Sequence, residues 1–141
     1  MKIKIIKNTK PALEVKDLIK EYEKRLSLWV KVENILIKKD EELLNHLDNY
    51  TYLICLDEHG SEINSIDLAK KFQNLSNEGR IKNLILYIGG SYGISKSILD
   101  KANLTLSLSK LTFQGDLAWL ILWEQVYRAY SIINNSSYHH E

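Results

Sequence analysis

Proline and cysteine occur once each in this sequence, and glycine only six times. A single cysteine excludes an intrachain disulfide and suits a reducing compartment. Cys55 lies in the apolar run Tyr52-Leu53-Ile54-Cys55-Leu56, where it serves better as a small hydrophobe than as a nucleophile. With so little glycine and proline there is no linker, repeat or low-complexity tract, and residues 1–141 are expected to form a single domain. Long apolar runs are also lacking. The longest, Leu117 to Trp123, is far short of the ~20 residues of a membrane span. Met1 to Lys7 mixes Lys with Ile and has no signal-peptide core. A cytoplasmic protein without a membrane partner is expected. Nor does charge of one sign dominate. Against 19 Lys and Arg stand 18 Asp and Glu, a net charge of +1. That balance neither announces a nucleic-acid partner nor excludes one, because local patches outweigh totals. His59 has no second His or Cys near it at ligand spacing, so no metal is expected.

What is present is ordinary globular composition, 45% hydrophobic and 26% charged, with clear periodicity. Strands are predicted at Lys2–Ile6, Val32–Ile37, Tyr52–Leu56, Leu84–Ile88 and Leu104–Leu108. Leu18, Ile19, Tyr22, Leu26 and Trp29 fall on one helical face, so a helix is predicted from Pro11 to Trp29. A short helix follows at Glu41–Asp48. Another carries Ile66, Leu68, Ala69, Phe72 and Leu75, with Asn64 or Ser65 as its N-cap. Asp116–Ile133 makes a long final helix. Alternating strands and helices, with two near-continuous apolar strands, predict an α/β fold: a mainly parallel sheet flanked by helices.

Ligands in such sheets bind beyond the carboxyl ends of the strands. Leu56-Asp57-Glu58-His59-Gly60 and Gly89-Gly90-Ser91-Tyr92-Gly93 are the two places that qualify. The glycine segment is neither a dinucleotide fingerprint nor a Walker loop. It serves either as close backbone approach to a ligand or as a tight turn into a helix capped by Ser95. Asp57 and Glu58 suit acid–base work or a ribose, and equally suit a solvated loop. Asp116, or Thr112 before it, is a candidate cap for the final helix. That helix is apolar almost all round in its first turns, which predicts a partner subunit, most simply in a symmetric homodimer. The polar tail Asn134–Glu141 reads by composition as a frayed end, although Tyr138 and His139 suit base stacking and proton transfer.

Five ordered segments carry a resemblance. They are Leu56-Asp57-Glu58-x-Gly60 with Ser65 and Ala69, Ile88-Gly89-Gly90-Ser91-x-Gly93, Leu106 to Phe113, Glu124-Gln125-Val126-Tyr127-Arg128-Ala129-Tyr130, and Tyr138-His139. Together they resemble the bacterial methyltransferases that modify N3 of a pseudouridine in 23S ribosomal RNA (the RlmH family, SPOUT class). The resemblance implies a deep trefoil knot in the C-terminal half, a homodimer, and S-adenosylmethionine as cofactor. It implies cofactor contacts from Leu56, Gly89, Gly90 and Leu108, Ser109, Lys110, Leu111, Thr112 and Phe113. It implies catalytic roles for Arg128 (phosphate contact or helix anchoring), Tyr138 (base stacking or hydrogen bonding) and His139 (proton removal or phosphate contact). The expected partner is the ribosome. The chain departs from the family at one turn. Gln114, Gly115 and Trp119 stand where the family commonly has Pro, His and Arg. A catalytically weakened RNA-binding homologue, or a SPOUT enzyme acting on transfer RNA, are therefore the alternatives.

Overall fold

Tyr87 and its neighbours explain the architecture. The computed structural model describes residues 1–140, and in it Leu84, Ile85, Leu86 and Tyr87 are all fully buried. A strand apolar on both faces must be covered on both. The strands are β1 (Lys2–Asn8), β2 (Val32–Ile37), β3 (Thr51–Glu62), β4 (Asn83–Ile88) and β5 (Leu104–Ser107). They form one parallel sheet in the order β2-β1-β4-β3-β5. Leu84, Leu86 and Ile88 enter the larger core, beneath α1 (Lys16–Leu26), α2 (Ser65–Glu78) and α4 (Gly115–Ile133). Ile85 and Tyr87 enter the smaller one. There Leu43 from a 3-10 helix (Asp40–His46) and Ile98 from α3 (Lys96–Leu99) complete the packing. Leu122 and Val126 of α4 are fully buried and contribute about 1.5–3 kcal/mol each, as an upper bound.

The predicted elements are present, with instructive differences. Helix α1 begins at Lys16 and ends at Leu26, shorter at both ends than Pro11–Trp29. The main-chain N–H groups of Ala12 and Leu13 donate to the Asp116 carboxylate, which holds them out of a helix. The short helix after β2 is 3-10 rather than α. Strand β3 does not end at Leu56 but runs on to Glu62. Leu106 pairs with Leu56 and again with Ser61, across an irregularity that takes up residues 57–60. Gly60 makes this possible, since a Cβ there would lie 2.6 Å from the Thr105 carbonyl oxygen. The segment after Leu56 is thus bulged strand, not open loop.

Caps divide in the same way. Asn64 caps α2 as expected, accepting from the Asp67 N–H at 2.8 Å. Gln114, not Asp116 or Thr112, caps α4, accepting from the N–H groups of Asp116 and Leu117. Ser95 precedes α3, but its hydroxyl faces Ser97 and its N–H donates to Asp40. Along α4, Trp119, Leu122, Trp123 and Val126 are buried, whereas Leu117 is 43% exposed and Leu120 and Ile121 are half-buried. One apolar face of the helix therefore stays open to solvent.

Candidate active site

Leu56, midway along β3, lies side by side with Ile88 and Leu106 at the carboxyl ends of β4 and β5, and the three make an apolar floor. Above it lies a cavity of about 410 Å³, within the range that holds a drug-sized ligand. Gly89, Gly90 and Gly93 form one wall. A Cβ on Gly89 would lie 2.6 Å from Ile94 Cγ1 and 2.8 Å from the Gly93 carbonyl oxygen, so the turn folds tightly on itself. Asp40 anchors this turn. It accepts hydrogen bonds from the Ser95 N–H (2.8 Å), Asn8 Nδ2 (3.1 Å) and the Tyr87 hydroxyl. Burial opposes ionisation of Asp40, but hydrogen bonds from Tyr87, Ser95 and Asn8 outweigh it and hold the carboxyl below its ordinary range. The Tyr87 hydroxyl is pushed up by burial and by the Asp40 carboxylate beside it.

The connection from β5 to α4 forms the second wall. Leu108, Ser109, Leu111, Thr112 and Phe113 line it. Among the described residues, no main-chain-to-main-chain hydrogen bond engages residues 108–113. The segment is held by side chains instead: Ser107 donates to the Ser109 carbonyl, Ser109 accepts from the Leu111 N–H, and Thr112 donates to Glu58 at 2.6 Å. Most of its peptide N–H and C=O groups are thus free to pair with a ligand. Polar main chain beside an apolar floor suits the flat, edge-polar adenine of S-adenosylmethionine, and the residues present fit that cofactor. Lys110 is the exception among the expected contacts. Its side chain is 89% exposed and points to Glu62 at 4.0 Å, outside the cavity. Asp57 and Glu58 border the cavity, but His59 faces solvent.

Arg128, Tyr138 and His139 come together, but at the other end of α4. Arg128 stands 13 residues beyond Gly115 on the helix, about 20 Å along its axis. The tail is docked, not frayed. The Tyr138 hydroxyl donates to Glu124 Oε1 at 3.0 Å, and its ring meets Tyr127 edge-on at 4.7 Å. Arg128 donates to the same Glu124 oxygen through Nε (3.0 Å) and Nη2 (2.6 Å). Its Nη1 lies 3.0 Å from His139 Nδ1. A guanidinium only donates, so Nδ1 accepts this bond and Nε2 carries the ring proton. Burial first, then the bond to Glu124, pushes the Tyr138 hydroxyl up to about 12. The bond to Glu124 holds Arg128 charged. Gln125 extends this network, donating to Glu124 at 2.7 Å and accepting from Ser65 at 2.6 Å.

Two site features escape the sequence pattern. Glu124 is the hub of the tail, and its (i, i+4) spacing from Arg128 was the available signal. Lys7 is buried at the end of β1 and pairs with the buried Asp116, which nothing local reveals. Trp119 is almost wholly buried, with Lys7 Nζ 5.9 Å from its ring centroid. Gly115 opens α4 at the cavity edge, and a Cβ there would meet nothing within 4 Å.

Comparison with known proteins places these features in context. A family model described as "Predicted SPOUT methyltransferase" matches residues 1–139. The ribosomal RNA large subunit methyltransferase H of Desulforamulus reducens is 38% identical over 140 residues, covering 86% of this chain and 87% of that protein. That of Caldicellulosiruptor saccharolyticus is 33% identical over 140 residues, covering 88% and 90%. Among solved structures, a probable methylase family protein from Haemophilus influenzae superposes with a TM-score of 0.60 at 10% identity, over 99% of this chain and 70% of that one. The SpoU methyltransferase AviRb from Streptomyces viridochromogenes, solved in complex with AdoMet, gives 0.51 at 12% identity, over 91% and 57%. At such identities the structural matches speak for the fold alone.

Proposed function

The chain belongs to the SPOUT methyltransferase family, and from that premise we propose that it methylates N3 of a pseudouridine in 23S ribosomal RNA, using S-adenosylmethionine. The observation that carries this is the cavity at the carboxyl ends of β4 and β5 and the middle of β3, with its apolar floor and unpaired peptide groups. Leu56 and the 108–113 segment would hold the adenosine, and Gly89 and Gly90 would admit the methionine end. When bound, S-adenosylmethionine supplies an electrophilic methyl on a sulfonium. This chain's part is to align the acceptor nitrogen with that methyl and to assist loss of the N3 proton.

The whole of residues 1–141 would act as one SPOUT-type domain, knotted through the C-terminal half, in the cytoplasm where ribosomes are. A second copy, seated on the open face of α4 at Leu117, Leu120 and Ile121, would bring its own Arg128, Tyr138 and His139 to this cavity. Arg128, bound to Glu124, then anchors the tail. Tyr138 stacks on or hydrogen-bonds the base. His139, with Nδ1 taken by Arg128 and its proton on Nε2, suits a phosphate contact better than proton removal. Assembled ribosomes are the substrate expected on that reading.

Mass spectrometry of 23S RNA from cells with and without the gene tests the activity: one methyl is expected to disappear with the gene. Replacing both Tyr138 and His139 is expected to abolish transfer, and normal methylation would end their assignment. The open edge at Gly115 and the buried Trp119 favour a second reading, a homologue that binds RNA with little turnover. Calorimetry separates the two, since a silent module does not bind S-adenosylmethionine. Methyl transfer to transfer RNA rather than to ribosomes would redirect the substrate.

A further inference from the structure

Four features of the first loop converge on one wall of the cavity. Lys7 and Asp116 form an ion pair at 3.2 Å with side chains 4% and 2% exposed, and both border the cavity. Such a pair is expensive to desolvate and persists when other hydrogen bonds complete both partners. Here they do. Asp116 Oδ2 accepts from the N–H groups of Ala12 (2.6 Å) and Leu13 (2.8 Å). Lys7 Nζ donates to the carbonyl of Asn8 (3.3 Å) and to the carbonyl and hydroxyl of Thr9 (3.5 and 3.4 Å). Thr9 itself has a φ of 80°, a conformation that a β-branched residue rarely adopts. Strain of this kind persists only where the surroundings impose it, and it gathers at functional sites. Gly90 packs directly against this residue, since a Cβ there would come within 3.2 Å of Thr9 Cγ2.

We propose that Lys7 and Asp116 are positioning residues that fix Thr9–Ala12 as the RNA-facing wall of the cavity. This rests on the methyltransferase reading of the site. The groups suited to the cofactor lie on the other walls, at Gly89–Gly90 and in the 108–113 segment. Lys10, exposed at the cavity edge within Thr9–Ala12, presents a cation to a nucleotide phosphate. Losing the pair frees this wall and misplaces the acceptor base, while the cofactor's own contacts stay in place. Small misplacements of a reacting group cost rate steeply.

The test uses the full chain as wild type, Lys7→Met, Asp116→Ala, the double variant and Thr9→Gly. Binding of S-adenosylmethionine is measured by calorimetry, and kcat and KM are measured on ribosomes from cells lacking the gene. In every variant the cofactor Kd is expected to stay within about twofold of wild type, while kcat/KM falls about tenfold or more. The double variant is expected to lose no more than the worse single one, because the two residues act as one unit. Thr9→Gly adopts the left-handed backbone without strain, so it keeps its thermal midpoint yet loses activity, which covers the case in which the charge variants fail to fold. Cofactor binding that weakens in parallel with activity, additive losses in the double variant, or full activity in Thr9→Gly would each overturn the proposal. Failure of the wild type to bind S-adenosylmethionine would remove the methyltransferase reading, and this proposal with it, before any variant is compared.

Discussion

Glu124→Ala isolates the contact that docks the C-terminal tail. Glu124 Oε1 accepts from the Tyr138 hydroxyl at 3.0 Å and from two nitrogens of Arg128. A hydrogen bond to a charged group contributes about 1.5–3 kcal/mol net, and the low end applies at this partly exposed site. An exposed (i, i+4) ion pair contributes about 0.3–0.5 kcal/mol. These side chains are only 25% and 20% exposed, so the pair exceeds a surface one, and the total loss is about 2 kcal/mol. That corresponds to a rise of roughly 30-fold in the open population of the tail. The tail does not detach wholly, because the Tyr138 ring still meets Tyr127 at 4.7 Å and the Arg128 guanidinium at 4.8 Å. Hydrogen exchange reads this locally at Ser136, whose N–H donates to the Ser131 carbonyl at 2.8 Å. Exchange there is expected to quicken roughly 30-fold, while Leu86 in the sheet centre stays protected. Glu124→Gln keeps an acceptor without the charge and is expected to fall between. Methyl transfer is expected to drop in the same order as tail protection. Unchanged exchange at Ser136 in Glu124→Ala would refute the view that this carboxylate holds the tail.

Other consequences follow from the same contacts. Gly89→Ala forces a Cβ against the Gly93 carbonyl and is expected to cost about 1–3 kcal/mol in denaturant unfolding and to weaken cofactor binding measured by calorimetry. Asp40 and Asp116 are both held below the ordinary value of 3.8, Asp116 because hydrogen bonds from Leu13, Ala12, Gln114 and Lys7 outweigh the opposing effect of burial. Each therefore binds fewer protons folded than unfolded, so its stabilisation is present above pH 3.8 and is lost as pH falls through the lower folded value. Urea midpoints followed into acid should decline more gently in Asp40→Asn and Asp116→Asn, and an unaltered slope in both would count against the assignment. The Tyr138 hydroxyl shifts the other way. Its contribution is complete below pH 10.0 and is lost as pH rises through about 12, so Tyr138→Phe should flatten the alkaline limb of tail protection. Cys55 is buried and its thiol is pushed up to about 12 by burial, then by Asp40 and Asp57, so alkylation at neutral pH should require unfolding.

Features governed by local spacing were legible, and features governed by distant partners were not. The apolar runs at Leu53–Leu56 and Leu84–Ile88 announced strands covered on both faces, because burial on two sides leaves no polar position in the repeat. Asn64 caps α2 through the N–H of Asp67, three residues away, and sequence alone suffices for that. Asp116 has the same residue type and the same kind of place, near the start of a helix. Its carboxylate nevertheless turns to Lys7, Ala12 and Leu13, whose positions beside it depend on the order of strands in the sheet. The helical pattern of Pro11 to Val15 likewise carries no sign that Asp116 takes the amides of Ala12 and Leu13. The Lys110 side chain turns to Glu62: proximity in sequence says that a segment lines a cavity but not which of its side chains turn inward.

The same distinction explains why the tail changes character. By composition, Asn134 to His140 has too little apolar surface to offset the entropy of ordering it. It is ordered because α4 presents Glu124, Tyr127 and Arg128 on one stripe at spacings of three and four, and the tail returns along that stripe. The stripe was visible in the sequence, and its use as a dock was not. Glu124 is in turn tied through Gln125 to Ser65 at the start of α2, so the tail is held by the body of the domain rather than by its own chain neighbours. The Tyr138 hydroxyl and the Arg128 guanidinium share the Glu124 carboxylate, and Tyr138 and His139 are held half-buried beside it. Within one chain these groups stand far from the cavity at the opposite end of α4. Under the proposed methyltransferase reading, this cluster would reach a cavity only on a second copy, and the uncovered face at Leu117, Leu120 and Ile121 is where that copy would seat.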